Sequence, residues 1–70
     1  MTDNGKAALD WLRCEHPEIA DAITDCVDAG ISANMIRSFV IMHCEFDRQT
    51  MAAKCTLAAQ YLIAQKEPKP

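Results

Sequence analysis

From residue 18 to residue 67 the chain contains no proline and a single glycine, Gly30. Glycine supplies the backbone freedom for tight turns, and proline is the residue that stops a helix. A stretch so poor in both has one obvious place to turn and is otherwise committed to regular structure. Its apolar residues recur at spacings of three and four, the period of a helix, so the expected fold is all-α. At 70 residues the chain makes one domain, 1–65, whose small core invites a supplement such as a disulfide, a metal or a partner chain.

Helix 1 is expected over about 5–15, after the capping run Thr2, Asp3 and Asn4, with Ala8, Leu9, Trp11 and Leu12 turned inward. It must stop near His16, because the residue before a proline is pushed out of the helical region. Pro17 then suits the first position of helix 2, about 17–29. Gly30 in the left-handed conformation would close that helix, with Ile31 as the accompanying hydrophobic contact and Ser32 as the N-cap of the next. Helix 3 is expected over about 33–46. Asp47 can cap a fourth helix over about 48–65, although the lack of glycine and proline from residue 32 to residue 66 also permits helices 3 and 4 to run on as one rod of about 50 Å. The expectation is a small bundle of three to four helices with a disordered, proline-rich tail, 66–70. No apolar run reaches the roughly 20 residues of a membrane span, and the N-terminus lacks the basic and apolar regions of a signal peptide. The expected location is cytoplasmic.

The cysteines, Cys14, Cys26, Cys44 and Cys55, are separated by 12, 18 and 11 residues, with no Cys-x-x-Cys pair among them. His16 beside Cys14 and His43 beside Cys44 would complete a Cys2His2 set, but neighbouring helical residues diverge by about 100° and rarely share an ion. Cys26 and Cys55 fall on apolar helix faces, where cysteine acts as a small hydrophobe, and His43 is expected to pack in the core. No metal or cofactor is expected. Nor is an enzyme: the chain has no Ser/His/Asp arrangement, no Gly-rich phosphate loop and no His-Glu-x-x-His motif.

The stretch DCVDAGISANMIRSF, residues 25–39, bears on nucleic acid. With Gly30 as the turn glycine, Cys26 as the small residue before it, and Ile31, Ile36 and Phe39 as buried positions, residues 22–41 resemble a helix-turn-helix domain. That resemblance implies a dimeric transcriptional regulator reading the major groove through helix 3, with Ser32, Asn34, Arg37 and Ser38 toward the bases. Asp25, however, occupies a position such domains bury. From Cys14 through Ile36 there is no Lys or Arg, while Glu15, Glu18, Asp21, Asp25 and Asp28 add five negative charges. Phosphate contacts supply most of the affinity for DNA, and this segment would be repelled. The formal net charge of −3 points the same way, so DNA is the alternative and not the first reading.

The apolar surplus points toward protein. In helix 3 the apolar residues cover an arc wider than a one-sided surface helix needs, with Met35, Phe39, Met42 and Phe46 as one ridge and Ile36, Val40 and His43 as a second. Either helix 3 is the centre of the bundle, or one ridge meets a partner. In helix 4, Met51, Cys55, Ala59 and Leu62 form a core stripe, while Leu57 and Tyr61 lie on nearly the opposite side. A homodimer or a tight heteromeric contact through helices 3 and 4 is therefore expected. The expected function is that of a non-catalytic interaction module, a small acidic adaptor or inhibitor of a larger protein, for which a nucleic-acid-binding protein is a suited target. Its candidate contact residues are Asp21, Asp25 and Asp28 with Met35, Phe39, Met42, Phe46, Leu57 and Tyr61. In size and general build the chain resembles the short accessory proteins that phages and mobile elements direct against host factors.

Overall fold

The computed structural model describes residues 3–44 and 47–66. Four helices follow in order, α1 (Asp3–Glu15), α2 (Pro17–Asp28), α3 (Ala33–His43) and α4 (Arg48–Lys66), and the described residues contain no strand. Helix α1 starts inside the run expected to cap it, of which Thr2 lies outside the described residues. Pro17 opens α2, where its missing N–H leaves no gap in the helical bonding.

The turn after α2 is closed by its glycine. Gly30 has φ +84°, its N–H reaches the Val27 carbonyl at 3.0 Å, and the Ile31 N–H reaches the Cys26 carbonyl at 3.0 Å. These two bonds satisfy carbonyls that the end of a helix would leave without partners. Nothing lies within 4 Å of the place a Cβ would occupy at Gly30, so Gly30→Ala meets no clash and only conformational strain. That variant is expected to lose about 1–2 kcal/mol in urea unfolding. Ser32 then caps α3 by accepting the Met35 N–H at 3.2 Å.

Helix α3 ends at His43, three residues before the expected boundary at 46. Cys44 leaves the helical region at φ −80° and ψ 129°, while its N–H still reaches the Val40 carbonyl at 2.8 Å. Two side chains hold this break. Arg48 Nε donates to the Cys44 carbonyl at 2.8 Å, and the Asp47 carboxylate accepts the Thr50 N–H at 3.2 Å, capping α4 as expected. Among the described residues α3 and α4 are thus separate helices, each with a polar side chain at the end that faces the other. Glu45 and Phe46 lie outside the described residues. Helix α4 continues to Lys66, which was expected in the tail; its ammonium pairs instead with the Asp28 carboxylate at the end of α2. Residues 67–70 are outside the described residues.

The helix at the centre is α4, which packs against α1, α2 and α3. Met51, Ala52, Cys55, Ala58 and Ala59 are buried, and Leu57, Tyr61, Leu62 and Ile63 are half-buried against the same core. A helix apolar around most of its circumference needs neighbours on several sides, and its alanines let them approach. The apolar excess of α4 therefore has an explanation within one chain. Against it α1 places Ala8, Leu9 and Leu12, α2 places Ala20, Ile23 and Val27, and α3 places Ile36. Trp11, expected inward, is half-buried, with its ring 5.5 Å from that of His16 and the Lys54 ammonium 5.5 Å from the indole centroid.

Candidate functional site: an apolar groove between α2 and α3

Helix α3 packs chiefly on α4 and only lightly on α2. Its inner ridge, buried Ile36 and half-buried Val40, is spent on the core. The outer ridge is left over: Met35 is 65% exposed, Phe39 64% and Met42 74%. Between this ridge and α2 lies an open groove of about 530 Å³, with a lining that is almost wholly apolar. Ile19, Ala22, Ile23 and Cys26 form its α2 wall, Met35, Ile36, Phe39 and Val40 its α3 wall, and Ile31, His43, Cys44 and Met51 also line it.

One lip of the groove is acidic. Glu18 lines it directly, and Asp21 and Asp25, one and two turns further along α2, are exposed. At 100° per residue Asp21 and Asp25 fall within about 60° of Glu18, outside the arc of Ile19, Ala22, Ile23 and Cys26 that lines the groove. Asp28 differs from them because it forms the ion pair with Lys66.

His43 is exposed and not in the core; its ring lies against that of Phe39, with centroids 4.3 Å apart and planes inclined by 35°. The early end of α3 explains this, since a ring in the last turn finds its neighbour four residues back and no core beyond.

The fold brings Met35 and Phe39 together with Glu18 around one groove, with Met42 further along the outer ridge. Leu57 and Tyr61 are not brought there. They lie half-buried beneath α1, where a Cβ on Gly5 would stand 2.7 Å from Tyr61 Cβ and 2.9 Å from the Leu57 carbonyl. Phe46 lies outside the described residues. Of the residues suited to reading bases, Asn34, Arg37 and Ser38 are exposed and line no part of the groove, while the Ser32 hydroxyl is occupied as a cap. Asp25, at the position a helix-turn-helix would bury, is exposed. Ile19, Ala22, Cys26 and Ile31 were not recognised as groove residues in the sequence. The available signal was the exposed alanine at 22 between the apolar and acidic stripes of α2, a place where a helix shows small apolar surface beside charge.

Among the described residues no cluster of His, Cys, Asp and Glu is arranged to hold a metal ion. None of the four cysteines is in a disulfide. Burial, and secondarily the neighbouring Cys44, pushes the Cys55 thiol from its ordinary 9.0 up to about 11. Such a thiol stays protonated at neutral pH and is a poor nucleophile. Among the described residues no helix is long and apolar enough to cross a membrane. Comparison with protein-family models, with curated proteins and with solved structures returns no match for this chain.

Proposed function

We propose that this chain is a non-catalytic protein-interaction module, a small acidic adaptor or inhibitor that docks on a larger protein through the α2–α3 groove. One observation carries the reading: Met35, Phe39 and Met42 stand 64–74% exposed on one helix, beside an apolar groove of about 530 Å³. Single exposed hydrophobes are ordinary, but a contiguous ridge beside a groove marks a surface awaiting a partner. Methionine adapts its shape to what it meets, and an aromatic side chain contributes much contact area with little loss of freedom. The lining is apolar apart from Glu18 and His43, and the most buried thiol is protonated, which also favours binding over catalysis. The build of the chain suits the accessory proteins of phages and mobile elements, and a nucleic-acid-binding host protein is a fitting target for its acidic α2.

Phe39→Ser tests the reading. The side chain is mostly exposed, so unfolding in urea should change by no more than about 0.5 kcal/mol. Cross-linking in an extract of the cells that carry the gene should nevertheless lose the proteins captured by the wild type. Equal capture by the two chains would remove the groove from the function. A gel shift with duplex DNA at low salt tests the other class, a regulator using Asn34, Arg37 and Ser38. No shift is expected, because residues 14–36 hold no cation to meet phosphate.

A further inference from the structure

We infer that the occupant of the groove is an amphipathic helix of a partner protein whose apolar stripe is flanked by lysine or arginine. This rests on the groove being the docking site proposed above. Both walls are helices, whose backbone N–H and C=O groups are already bonded along their own axes. An extended peptide would therefore bury its backbone against an apolar lining with no edge to pair with, whereas a helix arrives with its own bonds made. Size agrees as well. The α2 wall from Ile19 to Cys26 rises about 10.5 Å at 1.5 Å per residue, the rise between the first and last anchors of an i, i+4, i+7 stripe.

Charge decides what flanks the stripe. Glu18 lines the groove on its α2 side, Asp21 and Asp25 follow on the neighbouring exposed face of that helix, and from Cys14 through Ile36 the chain has no Lys or Arg to offset them. The nearest cation on α3, Arg37, does not line the groove, and the guanidinium of Arg48 is turned to the Cys44 carbonyl. Cations beside the apolar stripe would meet this lip as complementary charge at the rim, where charge sets orientation and partner choice. A second copy of the chain answers the groove poorly. It has a net charge of −3, and the apolar ridge it could insert, that of α3, brings Arg37 as the one cation of that helix. Residues 67–70, Glu-Pro-Lys-Pro, offer no large apolar side chain to fill the groove.

The test uses the intact chain and three synthetic peptides of about 15 residues, long enough for a helix to form on binding. The first has leucines at i, i+4 and i+7 flanked by lysine; the second has the same leucines flanked by glutamate; the third has the lysine peptide's composition in scrambled order. Binding is read by fluorescence anisotropy and by protection of Cys26, in the groove wall, from alkylation, with exposed Cys14 as the internal control. The lysine-flanked helix should bind at least about tenfold more tightly than either other peptide and slow labelling of Cys26 but not of Cys14. The triple variant Glu18→Lys, Asp21→Lys, Asp25→Lys should reverse the preference between the first two peptides. All three positions are exposed, and an unchanged urea midpoint will show that the fold is kept. Equal binding of the lysine- and glutamate-flanked helices, with Cys26 protected, would overturn the charge assignment and leave the groove as docking site. Binding of the scrambled peptide as tight as the first would overturn the helix. If no peptide binds and the chain sediments as a dimer with Cys26 protected, a second copy is the occupant and the inference fails. If no peptide binds a monomer, the inference fails, and with unchanged capture by Phe39→Ser the docking reading falls too.

Discussion

Gly5→Leu should remove most of the folding stability and leave a readily detected unfolded fraction at room temperature, and Gly5→Ala should lower stability where a helical glycine-to-alanine change ordinarily raises it. Alanine in place of glycine within an exposed helix gains up to about 1 kcal/mol. At Gly5 the added Cβ would stand 2.7 Å from Tyr61 Cβ and 2.9 Å from the Leu57 carbonyl oxygen. Neither atom is the end of a flexible side chain, so relief requires α1 to move away from α4. Overpacking of this kind costs roughly 1–3 kcal/mol for a small addition and more for a large one. We expect Gly5→Ala to lose about 1–2 kcal/mol net and Gly5→Leu roughly 3 kcal/mol or more, against the 3–5 kcal/mol that a core of this size supplies. Urea titration followed by helical ellipticity measures both. A Gly5→Ala protein more stable than wild type would show that the two helices do not touch there.

The second large effect is alkaline. Cys55 is fully buried at the centre of the bundle, and its thiol titrates near 11 in the folded chain against an ordinary 9.0. The folded value is the higher one. Below pH 9 both states hold the proton and the contribution is fully present. Between about pH 9 and 11 the unfolded chain releases the proton and the folded chain does not, so rising pH favours unfolding. The slope approaches 1.4 kcal/mol per pH unit, and the whole window is worth roughly 2–3 kcal/mol. Cys55→Ala removes the titrating group at the cost of a small cavity, about 1 kcal/mol at neutral pH. Its unfolding free energy should therefore decline less steeply than that of the wild type between pH 9 and 11. Parallel profiles for the two proteins would show that Cys55 ionises as readily folded as unfolded.

Much of this architecture was legible in the sequence because short-range chemistry decides it. Pro17, Gly30, Ser32 and Asp47 each act on the backbone within a few residues, and each stands at the boundary assigned to it. The end of α3 at His43 was harder, because no glycine or proline marks it and the Arg48 side chain that reaches the Cys44 carbonyl comes from the next helix. The choice of central helix was not legible either. Both α3 and α4 carry apolar residues on more than one side, and only three-dimensional packing assigns the Leu57/Tyr61 side of α4 to α1. The exposed ridge of α3 could be listed from its spacing, yet which of the two ridges faces outward depends on where α4 lies. Asp28 belonged to the acidic stripe by periodicity, and its engagement by Lys66 joins residues 38 positions apart in the chain.

That the hub of the bundle is the fourth helix in chain order bears on how the molecule comes into being. Although α1 and α2 pack on each other, α1, α2 and α3 all also bury apolar side chains against α4, and that part of the core stays open until Met51 through Ala59 are synthesised. Completion of the core must therefore wait for α4, and a nascent stretch bearing Leu9, Leu12, Ile23 and Ile36 is meanwhile a natural client for chaperones.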